Sequence, residues 1–329
     1  MTTTPLPLRY GICGDAVRDL QERLSALGFP HTDPPGQFRE TTQAAVQHYQ
    51  AFAGLDIDGI CGRVTWSCLV EAGYRLGDRL LYHRSPMMRG EDVADLQSRF
   101  SALGFDSGRV DGIFGPLTAT ALVEFQRNSG LPTDAICGPE TIAALNRLGA
   151  RTSAIAVAHI REDERLSAAP RQIRGRSLAL ADPGGMNQLV AATAQRLRGA
   201  GAIVAVLDHP DGAQQAREAN DLRAEAFLCV RLAPAEGVSA YFFKTPTFEA
   251  RGGRRLAELV VREVGNLEPT APAIAAGRRL PVLRETRMPA VLVELGPASF
   301  IVRRTPELAR ALAEACEQWV AQPFPPTEP

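Results

Sequence analysis

Lysine is nearly missing from this 329-residue chain: Lys244 stands alone among 36 basic residues, and arginine supplies the rest. The bias toward arginine carries no functional weight. The 36 basic residues face 37 acidic ones, a net charge of −1. That balance excludes a chain that holds nucleic acid by bulk positive charge. No apolar run reaches the roughly 18 residues of a membrane-spanning helix. Residues 1–9 lack the cationic start and apolar stretch of a secretion signal, so the expected location is the cytoplasm. None of the six cysteines (Cys13, Cys61, Cys68, Cys137, Cys229, Cys316) forms a CxxC pair. Zinc-finger and thioredoxin sites are thereby excluded, and free, mostly buried thiols are expected. Histidine is scarce as well. His31, His48, His83 and His159 are scattered over the first half, and from residue 177 onward only His209 remains. A site that needs two imidazoles cannot be built from that half alone.

What the chain does have is apolar residues enough (45%) for two or three globular domains, and an internal repeat. Gly14-Asp15-Ala16-Val17-Arg18-Asp19-Leu20-Gln21 returns as Gly90-Glu91-Asp92-Val93-Ala94-Asp95-Leu96-Gln97, an offset of 90 − 14 = 76. Ser25–Phe29 returns as Ser101–Phe105, and Asp58–Gly62 as Asp134–Gly138, at the same offset. Three blocks at one offset mean two copies of one small domain. Val17, Leu20, Leu24 and Leu27 share one face of an amphipathic helix, and Gly28 stops it. Val93, Leu96, Phe100, Leu103 and Gly104 repeat the pattern. Further helices are expected at Glu40–Ala53 and Arg63–Ala72, and at Pro116–Ser129 and Pro139–Leu148, with both prolines in first-turn positions.

The second copy carries Asp111-Gly112-Ile113-Phe114-Gly115, Thr118, Ala121, Phe125-Gln126, Gly130-Leu131, Asp134, Gly138, Thr141 and Leu145. This pattern resembles the three-helix peptidoglycan-binding module. The resemblance implies a peptidoglycan fragment as ligand, with Asp111, Gly112, Phe114, Gly115, Gln126 and Asp134 as the motif positions. The Asp-Gly pairs read equally well as tight turns that specify the fold. In the first copy Pro35-Gly36-Gln37-Phe38-Arg39 interrupts the motif. That copy is expected to be worn, and any ligand to map to residues 86–148.

Residues 150–176 read as linker, and Arg161-Glu162-Asp163-Glu164-Arg165 as a solvated face. From Ser177 strands and helices alternate: strands at Ser177–Ala181, Ala202–Leu207, Ala226–Leu232, Gly237–Phe243 and Ala290–Leu295, helices at Leu189–Ala200, Asp211–Leu222, Phe248–Val264 and Pro306–Val320. A largely parallel sheet covered on both faces follows. The expected organisation is multidomain: two all-α three-helix modules (1–75 and 76–149), the linker, an α/β open-sheet domain (177–322) and a tail (323–329).

Within that domain Pro289-Ala290-Val291-Leu292-Val293-Glu294-Leu295-Gly296 is a buried strand ending in a carboxylate. A buried carboxylate needs a partner, and the carboxyl ends of strands in open sheets are where sites form. Glu294 is therefore a cap, an ion-pair partner or a catalytic group. Asp182-Pro183-Gly184-Gly185, Arg217 with Ala219-Asn220, Phe227–Arg231, and Leu283-Arg284 with Thr286 accompany it. Together these segments resemble the zinc-dependent N-acetylmuramoyl-L-alanine amidases. The resemblance implies a zinc held by two His and one Glu, with a second Glu as base. Glu294 matches the base. No histidine stands within Asp182–Gly185, the loop with the ligand Glu is shortened, and Arg231 stands where the second His is expected. Arginine has no lone pair to offer a metal, so no zinc is expected, and Arg231 is expected to pair with Glu294 or Asp182. The degenerate site then comprises Asp182, Gly184, Gly185, Arg217, Asn220, Arg231 and Arg284 around Glu294.

Some members of this family lack catalytic ligands and regulate wall synthesis. The resemblance to them, which includes Tyr74–Gly77 and Leu81–His83, implies an inactive homologue that binds the cytoplasmic enolpyruvyl transferase of peptidoglycan-precursor synthesis. In such regulators a threonine near the C-terminus is phosphorylated; the tail here is very short and offers only Thr327 as a stand-in. Two alternatives stay open: an active amidase with unusual ligands, and a sensor of muropeptides or precursors.

Overall fold

The computed structural model describes residues 6–148, 157–245 and 248–324, without the side chains of 157–159. Thr327, the side chain of His159 and residues 150–156 of the expected linker lie outside the described residues. The chain divides into two compact units, Met1–Ile160 and Arg161–Pro329.

The first unit holds α1 (Asp15–Ala26), α2 (Glu40–Ala53), α3 (Arg63–Ala72), β1 (Leu81–Tyr82), α4 (Glu91–Ala102), α5 (Pro116–Asn128), β2 (Ile136–Cys137) and α6 (Pro139–Leu148). Its two cores match position for position at the offset read from the repeat. Val17, Leu20, Phe38, Ala45, Tyr49, Cys61 and Leu69 fill one, and Val93, Leu96, Phe114, Ala121, Phe125, Cys137 and Leu145 fill the other. Gly28 and Gly104 take positive φ just past α1 and α4, so the missing Cβ lets the chain turn there. Burial pushes the Cys61 and Cys137 thiols up to about 12, which makes them inert core residues. The interrupted turn of the first copy has not cost it its core.

The second unit begins within α7 (Val157–Ala168) and goes on with β3 (Ser177–Ala181), α8 (Asn187–Gly199), β4 (Ile203–Leu207), α9 (Gly212–Asp221), β5 (Ala226–Leu232), β6 (Gly237–Phe243), α10 (Arg251–Gly265), β7 (Ala273–Arg278), α11 (Pro281–Arg284), β8 (Ala290–Gly296) and α12 (Ala298–Ala321). Its sheet runs β4-β3-β5-β8-β6-β7. The first four strands are parallel, β6 is antiparallel to β8, and β7 is parallel to β6. Helices α8, α10 and α12 bury one face against Leu178, Leu180, Leu228, Val230, Val291, Val293 and Leu295. Among the described residues, the other face carries α9 and the one-turn α11, which pack on each other.

Three expectations need correction. Arg161–Arg165 is not a wholly solvated face. Glu162 accepts hydrogen bonds from the Arg251 and Gly252 amides, 3.3 and 3.1 Å, and Asp163 pairs with Arg251 at 2.8 Å. Helix α10 has no cap of its own, so α7 supplies a carboxylate to its orphan N–H groups. Leu166 follows it into the core. Second, the final helix begins at Ala298 rather than Pro306, bent where Arg304 leaves helical geometry just ahead of that proline. Likewise α10 begins at Arg251, because Phe248 and Ala250 are buried in the turn back from β6, where the Ala250 amide donates to Phe243. Third, β7 and α11 were unforeseen: β7 is an edge strand, exposed in its first half and partly buried in its second, with no alternating pattern to show it.

Candidate functional site

Strands β3, β5 and β8 lie side by side and parallel, so their carboxyl ends meet on one edge of the sheet. Asp182 follows β3, while Arg231 and Glu294 lie near the ends of β5 and β8. The register sets Arg231 directly opposite Glu294. Both point to the face that carries α9 and α11, because alternate neighbours Val230, Val293 and Leu295 belong to the core on the other face. The guanidinium donates to Glu294 Oε1 from Nε at 2.9 Å and also from Nη2. Of the two candidate partners, Glu294 takes Arg231. The pair is partly shielded, with the side chains 34% and 20% exposed.

Asp182 is only 1% exposed and has a different task. Its Oδ1 accepts from the Gly184 amide at 2.7 Å and its Oδ2 from the Met186 amide at 2.9 Å. Both oxygens thus hold the turn into α8, in which Gly184 and Gly185 take positive φ. Beside it, the Cys229 thiol donates to Gln215 Oε1 at 3.6 Å. Burial pushes that thiol up to about 12, with Arg231 working against the shift and Asp182 adding to it. Cys229 and the fully buried Gln215 were missed in the sequence. For Gln215 a polar residue at an inward position of α9 was the available signal, and Cys229, on β5, was legible only as a buried thiol.

Arg217 is not part of this cluster: it is exposed and donates to Gln214 on its own helix, 2.9 Å. Asn220 has a scaffolding task. Its side-chain amide donates to the Glu285 carbonyl and accepts from the Arg287 backbone amide, each at 2.8 Å. The chain is thereby fixed just before it enters β8. Arg284 is buried in α11 at the same junction. Gly296, two residues past Glu294, could not be another residue. A Cβ there would lie 2.2 Å from the Ala235 carbonyl and 2.3 Å from that of Ala233. The His209 side chain is exposed and accepts from the Asp211 amide at 3.0 Å, while its carbonyl accepts from the Gln215 side chain at 2.6 Å.

The residues present do not fit a His₂Glu zinc site. Asp182 is spent on backbone amides, Glu294 on a guanidinium, and Arg231 is a cation in the place of a ligand. Among the described residues no group of three or more His, Cys, Asp or Glu side chains converges as a metal would require.

In the first unit the motif residues serve the turns. Gln126, 1% exposed, donates to Asp134 Oδ1 at 2.7 Å, to the Ile136 carbonyl at 3.1 Å and to Thr141, while accepting from the Ala135 amide. Gln97 does the same with Asp111, Ile113, Thr118 and the amides of Asp111 and Gly112. Gln50 repeats it with Asp58, Ile60, Thr65 and Gly59. Each buried glutamine uses both amide ends to pin a turn to the first turn of the next helix. Hydrogen bonds from the Ile136 amide and Gln126 hold the Asp134 carboxyl below its ordinary range. Phe114 is core, and Gly115 is the residue before α5.

Two segments of the chain, residues 13–69 and 89–145, match the family described as "Putative peptidoglycan binding domain". The chain is 34% identical over 329 residues to N-acetylmuramoyl-L-alanine amidase CwlM of Mycobacterium tuberculosis, covering 86% of this chain and 81% of that protein. It is 35% identical over 163 residues to N-acetylmuramoyl-L-alanine amidase CwlL of Bacillus licheniformis, covering 43% of this chain and 45% of the relative. Among solved structures, N-acetylmuramoyl-L-alanine amidase AmiC2 of Nostoc punctiforme matches 45% of this chain and 99% of its own, at 19% identity and a TM-score of 0.39. No helix among the described residues is long and apolar enough to cross a membrane. Given two peptidoglycan-binding modules ahead of an α/β sheet, and a match to CwlM that spans most of both chains, the protein belongs to the N-acetylmuramoyl-L-alanine amidase family.

Proposed function

We propose that this chain is a catalytically silent amidase homologue that holds no zinc and acts in the cytoplasm by binding a protein of peptidoglycan-precursor synthesis. The enolpyruvyl transferase of that pathway is the partner we propose. The observation that carries this reading is the Arg231–Glu294 pair at the carboxyl edge of the sheet. Amide hydrolysis at neutral pH needs a group that makes water nucleophilic and a free base beside it. Here the only carboxylate at the base position is committed to a guanidinium, and the neighbouring carboxylate is committed to two amides. Each charge is satisfied by the protein itself, which is how an acid becomes part of a scaffold. Around this cluster the sheet and its helices are fully packed, so a shape able to bind persists without the chemistry.

The test has two arms. Purified protein should contain well under one zinc per chain and release no stem peptide from peptidoglycan. About one zinc per chain, with release abolished by Glu294→Gln, returns the chain to the active amidases. In the second arm the transferase should co-purify, and its rate should change when the protein is added. If neither happens while muropeptides bind, the protein is a sensor of wall fragments.

A further inference from the structure

The sheet of the second unit ends in two edge strands, β4 and β7. An open edge offers its N–H and C=O groups to another chain unless a charge, a proline or a bulge guards it. β7 has guards: Gly277 weakens it and Arg278 charges its end. β4 reads Ile203-Val204-Ala205-Val206-Leu207, apolar throughout, with no charge, proline or glycine. Its β-branched residues favour extended pairing.

The ladder decides which groups face out. The Ile203 amide donates to the Arg176 carbonyl at 2.8 Å, and the Leu207 carbonyl accepts from the Asp182 amide at 2.9 Å. Ile203, Ala205 and Leu207 therefore bond to β3, and Val204 and Val206 turn their N–H and C=O groups outward. Among the described residues a single one of these outward groups has a partner: the Val204 carbonyl accepts from Arg198 Nη2 at 2.7 Å. Arg198 is exposed on α8. Side chains are uncovered on both faces of the strand. Val206, on the face of α8 with Val204, is 43% exposed, and Ile203, on the face of α9, is 63% exposed.

These outward groups complement one another. When a second β4 is laid antiparallel with Ala205 on the twofold axis, Val204 of one copy stands opposite Val206 of the other. Each such pair exchanges both of its hydrogen bonds. Ile203 then meets Leu207 of the second copy, an apolar cross-strand contact. Ala205 meets Ala205, a small residue where the strands come closest.

The charges agree with this register. Asp208 is exposed and comes opposite Ala202 of the second copy. Gly201, the residue before Ala202, packs on the exposed Arg174, since a Cβ there would lie 3.2 Å from the Arg174 Cγ. Asp208 of each copy is thus brought to Arg174 of the other. Among the described residues neither has an ion-pair partner in its own chain.

We infer that β4 pairs antiparallel with β4 of a second copy of this chain, joining the two sheets into one, and that Arg198 guards this edge by holding the Val204 carbonyl. The contact is isologous, so it closes at a dimer. The inference rests on the edge strand and not on the inactive-homologue reading.

Amide exchange in the unmodified full chain tests it directly. As protein concentration rises, exchange at Val204 and Val206 should slow, while Ala205, already bonded to β3, should not change. Sedimentation equilibrium gives the dimer constant. Ile203→Lys should weaken the dimer about tenfold. Asp208→Arg or Arg174→Asp should each weaken it about threefold, and the two together should restore it. Arg198→Met should tighten it about tenfold, because the Val204 carbonyl is freed in both copies. Thermal melts verify that these surface variants fold, and the exchange measurement needs none of them. A chain that stays monomeric up to about 1 mM, the weak end of specific association, overturns the inference. So does a dimer in which Val206 exchanges as before, a folded Ile203→Lys that dimerises equally well, or an Arg198→Met that does not tighten it. None of these variants touches Arg231 or Glu294, so zinc content and transferase binding are read separately, and either reading can fail alone.

Discussion

The two helical modules fasten their turns with the same buried glutamines, yet they anchor one turn with different carboxylates. In the second module Asp111 accepts from Gln97 and from the Ile113 amide. In the first its place is taken by Pro35, and Gln21 keeps the Thr42 hydroxyl at 3.0 Å but otherwise falls back on backbone: the Gln37 carbonyl at 3.0 Å, the Gly36 amide at 2.7 Å, and only a 3.4 Å contact to the Pro34 carbonyl. The missing charge reappears two residues earlier. Asp33 accepts from the amides of Arg39 and Thr42, 3.0 and 2.8 Å, and so caps α2. The counterpart of Asp33 in the second module is Arg109. A motif can therefore look broken while its physical task has moved to a neighbour. The first module is altered rather than worn.

The comparison can be broken or sharpened by substitution, followed module by module through native-state hydrogen exchange of α1 and α4. The largest effect should come from Arg79→Met. It strands the buried Asp92 charge, onto which Arg79 forks at 2.7 and 3.1 Å, and should cost about 3 kcal/mol in the second module alone; equal loss in both modules refutes that. Next, Gln97→Ala should cost about 2 kcal/mol, because turn amides and Thr118 lose their shared partner. Gln21→Ala should cost less, having no carboxylate to strand.

Asp33→Ala should remove about 1 kcal/mol of capping from the first module, with a pH signature. Burial raises this carboxyl, but hydrogen bonds from Thr41, Thr42 and Arg39 outweigh it and hold it at about 2 against an ordinary 3.8. Its contribution is complete above about pH 4 and disappears as the pH falls through 2. Acid melts should show this slope in the native chain and not in Asp33→Ala. A smaller effect of opposite sign is expected at Ala135. Its φ of 59° is a conformation that Gly59 supplies freely in the first module, so Ala135→Gly should stabilise the second by roughly 0.5 kcal/mol. The smallest belongs to Phe52, 69% exposed beside Phe29, whose counterpart is Asn128. Phe52→Asn should change stability by less than about 0.5 kcal/mol; a larger loss makes this ring structural.

The candidate site was half legible. Glu294 and Arg231 could be found because a carboxylate in a buried strand and an arginine at the end of another are each costly alone. Asn220 was named from a motif, and its side chain ties to Glu285 and Arg287 just ahead of β8, while Arg284 is buried nearby. Arg217 shares their motif but not their environment, since it lies exposed on the outer face of α9.

By itself the sequence determined the repeat, its helices, the buried strands and the shortage of histidine. All of these follow from periodicity and composition, which act locally and survive in one dimension. Only the tertiary structure decided which charges are partners. The β5–β8 register put Arg231 beside Glu294, the turn into α8 claimed Asp182, and α10 took its cap from Glu162. Each choice joins residues far apart in the chain or turns on which oxygen faces which amide. Such choices are set by strand register and helix docking, where a shift of one residue moves a side chain to the opposite face.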